Sequence, residues 1–224
     1  MNRQAQAQVD GVERYISLEP RSRVLDLSCG AGRQTLELAR RGYRVLGIDS
    51  DEGPLAAARA AAGQERLNIH FLHTDIRQIS YRGEFDVVVN LHSSIGALPN
   101  DRDHLRVLEG VRKGLKSGGR LLLDMLNKEW IMRHGEPGGF DLETGRLAAP
   151  ASVRVYCLTE LKALLERAGL TFLKVWGGYE GEPYGLDSPR MVVLAQRPAE
   201  APPRKDKDEH LVSAIRIKGR SKGR

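Results

Sequence analysis

The chain alternates short apolar runs with segments whose apolar residues recur every three or four positions, a pattern that predicts strands and amphipathic helices in turn. Near the start, Ala5, Val9, Val12 and Ile16 share one face of a helix over residues 3–18, and an apolar strand follows at 23–28. RQTLELARRG reads as a helix with Leu36 and Ala39 inward and Gly42 at its end. YRVLGID is a second strand. DEGPLAAARAAAG is an alanine-rich helix with acids at its start, where the helix dipole favours them. NIHFLHTD, EFDVVVNLH and RLLLDML supply three further strands, and the consecutive valines of the fourth suit a strand buried on both faces. Between the fourth and fifth, Leu105, Leu108, Val111 and Leu115 mark a helix.

Five strand–helix steps predict an α/β fold: a doubly wound, Rossmann-like, mostly parallel sheet of seven strands with helices on both faces. After residue 127 the rhythm changes to a loop-rich stretch reaching about 150. LTELKALLERAGL then predicts a helix with Thr159 as N-cap and Gly169 at its end. TFLKVWGGY and RMVVLAQR close the pattern as an antiparallel pair at one edge, which makes the C-terminal strand antiparallel.

Composition locates the charge. The 224 residues suit one domain, expected over 1–198, with a basic tail over 199–224. The net charge of +6 comes mostly from residues 204–224, which hold eight Lys/Arg and three Asp/Glu; the rest of the chain is nearly balanced, 27 against 26. Low apolar content predicts that this tail is disordered, the alternative being an arm that contacts nucleic acid or another polyanion. Two cysteines, Cys29 and Cys157, make no disulfide framework, no apolar run is long enough for a bilayer, and the first residues lack a signal-peptide core. The expectation is a cytoplasmic protein with no membrane partner.

The chemistry gathers where strands end. In open α/β sheets, ligands bind beyond the carboxyl ends of the strands. The first strand runs into Ser28-Cys-Gly-Ala-Gly32, the second ends at Asp49, the third at Asp75 and the fourth at Asn90. Gly30 and Gly32 let a ligand approach the backbone, and the next helix aims its amides at the same place. Asp49, 17 residues beyond Gly32, is placed to accept both hydroxyls of a ribose. Thr35 stands where the NAD pattern wants its third glycine, and no P-loop is present. Asp26, an acid inside the first apolar run, suits a cationic ligand such as S-adenosylmethionine, whose α-amino group and sulfonium both lie near such a loop.

In this order of motifs the chain resembles the class I S-adenosylmethionine-dependent methyltransferases, most strongly over 22–127: VLDLSCGAGR, VLGIDSDEGPLAAAR, FLHTDI, FDVVVNLHSSIGAL and LKSGGRLLLDMLN resemble successive family segments. The resemblance implies S-adenosylmethionine as cofactor. Asp26, Ser28, Gly30 and Gly32 would flank its methionine part, Ser28 replacing the usual first glycine. Asp49 and Ser50 would hold the ribose, Asp75 the adenine amine and Ile76 the ring, with Asn90 and Leu91 beneath the methionine end. His92 and Tyr156 are candidates for catalysis, and Arg154, Tyr184 and Arg190 for lining the acceptor pocket. No set of metal ligands is expected. The implied function is methyl transfer to a small molecule. The alternatives are an RNA or protein methyltransferase and a cofactor-binding module without turnover. NLHSS lacks the Asn/Asp-Pro-Pro-aromatic signature of nucleobase amino-methylating enzymes. The stretch 128–153 is shorter than the cover that the resembling subgroup carries there, and the extra strands expected over the site are not evident in it.

Overall fold

The computed structural model describes residues 2–135, 140–141, 146–147 and 153–199. The expected tail and part of the stretch after residue 135 lie outside the described residues. The elements, in order, are α1 (Arg3–Tyr15), β1 (Arg23–Leu27), α2 (Arg33–Arg40), β2 (Arg44–Asp49), α3 (Glu52–Gln64), β3 (His70–His73), β4 (Phe85–Asn90), α4 (Asp101–Gly114), β5 (Leu115–Leu126), α5 (Lys128–His134), β6 (Phe140–Asp141), β7 (Arg146–Leu147), β8 (Val153–Arg154), α6 (Leu158–Arg167), β9 (Thr171–Trp176) and β10 (Arg190–Gln196).

Seven strands form one sheet in the order β3-β2-β1-β4-β5-β10-β9. β1 pairs in parallel with β2 and β4, β2 with β3, and β4 with β5. β10 slots between β5 and β9 and runs antiparallel to both.

The central strands bury both faces because their apolar residues are consecutive rather than alternate. Val24, Val87, Val89, Leu122, Val192 and Leu194 join Val9 and Val12 of α1 and Leu38 of α2 in one core. Their neighbours Leu25, Val88, Leu121, Leu123 and Val193 point the other way and meet Val107, Leu108 and Val111 of α4 and Leu161, Leu164 and Leu165 of α6. Each such side chain contributes roughly 1.5–3 kcal/mol, so the two cores hold the sheet rigid beneath its carboxyl rim.

Three expectations change. The third crossover, between β3 and β4, carries only a 3₁₀ turn over Ile76–Gln78 in place of an α-helix. Cys157, not Thr159, caps α6: its Sγ accepts from the Glu160 backbone N–H while the Glu160 carboxylate accepts from the Cys157 N–H. The stretch after β5 is not simply loop. It holds α5 and two short strands, and β6, β7 and β8 make a second, antiparallel sheet.

Candidate functional site

The loop after β1 is built by backbone shape. Ser28, Gly30 and Gly32 have φ of 58°, 54° and 69°, all in the left-handed region. Gly32 is the N-cap of α2, and a Cβ there would lie 2.9 Å from Ala58 Cβ and 3.1 Å from the Phe71 ring. Gly32→Ala is therefore expected to destabilise the fold by about 1–2 kcal/mol from backbone shape alone, more if α3 must shift, read as a lower urea midpoint. At Gly30 a Cβ would meet nothing within 4 Å. That glycine borders open space, as a cofactor cradle requires.

Asp49, at the end of β2, binds the loop directly. Gly30 N–H donates to its Oδ2 at 2.7 Å and Asp51 N–H to its Oδ1 at 2.9 Å. Each carboxylate oxygen keeps a lone pair for a further donor, so a ribose diol fits here. Ser50 is exposed, and its carbonyl is hydrogen-bonded to His73 Nε2 at 3.0 Å.

Asp26 lies one layer below, 3% exposed, and Thr35 Oγ1 donates to its Oδ2 at 2.6 Å. Burial pushes its carboxyl up to about 7, the Thr35 bond opposes this, and the Asp49 charge adds to it. No cation is paired with it among the described residues. Such a carboxylate suits a cationic ligand group. Burial also raises the Cys29 thiol far above its ordinary range, so this side chain is not a nucleophile.

Other expected residues are differently engaged. Asp75 is gripped by Arg77, whose backbone N–H and Nε donate to Oδ1 at 2.8 and 3.0 Å and whose Nη2 reaches Oδ2. This bond holds the Asp75 carboxyl below its usual range. Those donors occupy the lone pairs that an adenine amine would need, so an adenine contact has to compete with Arg77. Ile76 is buried beside it. Asn90 is 0% exposed: its Nδ2 donates to Leu27 O and Ser94 Oγ, and its Oδ1 accepts from Ile95 N–H. It ties β4 to β1 and to the following turn, with both amide N–H groups used and only a lone pair of Oδ1 left for a ligand. Leu91 is buried in the α1/α2 core.

Tyr156 does not fit catalysis. It is 2% exposed, and its hydroxyl is bonded to His104 Nδ1 and donates to Asp101 Oδ1. The Arg154 guanidinium lies 4.5 Å from its ring centroid and 3.3 Å from Glu160 Oε1. These residues link β8, α4 and α6 and act in packing. Tyr184 donates to Asn127 Oδ1 and Glu129 Oε2, both at 3.2 Å, at the start of α5.

Arg190 and His92 meet around residues that the motifs did not flag. Asp124 of β5 is fully buried; Arg190 Nε donates to its Oδ1, and the Tyr179 hydroxyl (2.8 Å) and His92 N–H (3.3 Å) donate to its Oδ2. Arg190 Nη2 is buried without a partner among the described residues. The His92 ring meets Gln8 of α1 and Gln34 of α2. The signal for Asp124 was present in RLLLDML, an acid inside an apolar run like Asp26 in VLDL. Gln8 and Gln34 carry no such signal.

Among the described residues no His, Cys, Asp and Glu group is set to hold a metal ion, and no helix is long and apolar enough to cross a membrane.

Glycine cradle, ribose-type carboxylate and sheet order define a class, and comparison with known proteins agrees. Residues 24–119 match the family described as methyltransferase domain. That segment holds the glycine loop, Asp49 and Asp75, and it carries the likeness to the class I S-adenosylmethionine-dependent methyltransferases, for which S-adenosylmethionine is the implied cofactor. It is similar to the ubiquinone biosynthesis O-methyltransferase of Ruegeria sp. (strain TM1040), 34% identical over 161 residues, covering 66% of this chain and 60% of that one. It also resembles the cypemycin N-terminal methyltransferase of Streptomyces sp., 26% identical over 206 residues, with 78% and 82% covered. A Bacillus subtilis relative is 36% identical over 110 residues, of which this chain spans only 44%. An S-adenosylmethionine-dependent methyltransferase structure from Clostridium acetobutylicum shares the fold with TM-score 0.76 at 15% identity, over 87% of this chain and 92% of that one.

Proposed function

We propose that this protein transfers a methyl group from S-adenosylmethionine to a small-molecule acceptor. The observation that carries the reading is the Asp49 carboxylate, bonded to Gly30 N–H across an open glycine loop and retaining free lone pairs where a ribose would lie. When bound, the cofactor supplies a methyl group on a cationic sulfur, open to in-line displacement. The chain's part is binding, alignment and exclusion of water. Asp49 holds the ribose, Asp26 sits beneath the cationic methionine end, and Ile76 offers an apolar wall to the base. The acceptor enters above β4, β5 and β10, near His92 and Arg190.

Two relatives are named for different acceptors, one for O-methyl transfer in ubiquinone biosynthesis and one for an N-terminus. Their common feature supports methyl transfer more than either acceptor. The test is calorimetry with S-adenosylhomocysteine followed by a release assay for it against a panel of phenols and amines. Micromolar binding and acceptor-dependent release are expected. Binding without release from any panel member supports a module without turnover, and no binding removes the proposal.

A further inference from the structure

The imidazole of His92 is held by two amides that nothing else explains. His92 follows β4 with φ 63°, a left-handed conformation costly for a residue with a Cβ. Its backbone N–H is anchored to Asp124. Gln8 Nε2 lies 3.2 Å and Gln34 Nε2 3.0 Å from His92 Nε2, and Gln34 Nε2 also donates to Gln8 Oε1 at 2.6 Å. Both glutamines are buried, 6% exposed each, whereas His92 itself is exposed. Buried amides on amphipathic helices are costly unless paired. Here the two pair with each other and with one ring nitrogen.

An amide nitrogen only donates. With two amide nitrogens facing Nε2, that atom must be the acceptor, so in the neutral ring the proton sits on Nδ1. Nδ1 has no partner among the described residues. We infer that Gln8 and Gln34 are positioning residues that lock His92 in the Nδ1–H form, so that it offers the methyl acceptor a hydrogen-bond donor rather than a general base. This rests on the methyl-transfer reading only for the identity of the partner; the tautomer follows from geometry alone.

The surrounding charges agree. Partial desolvation of the ring lowers the His92 pKa although the residue reaches solvent, Asp124 of β5 opposes, and Arg190 of β10 and Arg33 of α2 lower it further. These influences favour the neutral ring, and its basic lone pair is covered by the two amides. The acceptor class that fits is a hydroxyl or phenolic oxygen: one lone pair accepts from Nδ1–H, the other attacks the methyl carbon as the carbon–sulfur bond breaks, and the hydroxyl proton leaves to solvent.

Long-range ¹H–¹⁵N correlation spectra of the full chain with ¹⁵N-labelled histidine test this, His92 being assigned by its loss in His92→Gln. The expected wild-type signal is the Nδ1–H tautomer. In Gln8→Met with Gln34→Met, the signal shifts toward the Nε2–H form and the pKa rises. A wild-type Nε2–H signal overturns the inference, because the amides would then present oxygens to the ring and His92 would keep a free lone pair toward the site. If the double variant does not fold, the wild-type spectrum still decides. Calorimetry with S-adenosylhomocysteine on the same wild-type sample separates the two ideas: absent binding sinks the methyl-transfer reading and leaves the tautomer standing.

Discussion

Asp49→Ala weakens S-adenosylhomocysteine binding by at least tenfold. Two charge-assisted contacts to a ribose diol are each worth about 1.5–3 kcal/mol, and the smaller figure already gives a factor of ten. A second loss adds to it, since Asp49 also fixes Gly30 N–H at 2.7 Å and Asp51 N–H at 2.9 Å, and without it the loop is no longer preset. Asp49→Asn is no rescue: one amide edge turns N–H groups toward a backbone N–H. Calorimetry on wild type, Ala and Asn variants reads this directly. Equal affinities in all three would place the ligand elsewhere.

Asp26→Asn stabilises the protein above neutral pH. Burial lifts the folded-state carboxyl to about 7, above its ordinary value of 3.8. The folded state therefore takes up a proton that the unfolded chain has released. Stability is greatest below the unfolded value, falls as pH rises between the two values, and levels off above the folded one. Asparagine cannot ionise and keeps an oxygen for Thr35. The variant should match wild type near pH 4 and exceed it at pH 8 by on the order of 3–4 kcal/mol. Urea midpoints at both pH values check this; a pH-independent difference would refute it. The same carboxylate, ionised by a cationic ligand beside it, makes cofactor affinity rise with pH up to about 7. A destabilising acid at a strand tip is what a binding site, rather than a core, retains.

The frame of the site was legible because its signals are local. Asp26 interrupts an apolar run, Asp49 ends one, and the glycines mark a turn that only small residues tolerate. The doubly wound, mostly parallel sheet with its antiparallel C-terminal strand follows from connection rules once the periods are read. What stayed hidden depends on distant partners. Gln8 and Gln34 meet His92 across 84 and 58 residues, and on their own helices each is only a polar residue facing inward. Tyr156 read as a free hydroxyl near the acceptor until its bonds to His104 and Asp101 were seen. β6 and β7 are two residues each, too short to show a period. The α6 cap was missed because a thiol fills a role that Thr159 fills more often, although Glu160 three residues on was the cue.

β10 acts as a spacer between two chemical environments. At its start Arg190 touches Asp124 under the acceptor rim, and just past its end Arg197 Nη1 donates to Leu115 O at 2.7 Å, by the end of α4. Seven steps at about 3.3 Å put roughly 23 Å between these two arginines. That is more than twice the Debye length of about 8 Å in physiological salt. Charge carried where the chain leaves the sheet therefore acts weakly on the rim, and added salt should reach that exposed end while leaving the buried Arg190–Asp124 pair nearly unchanged.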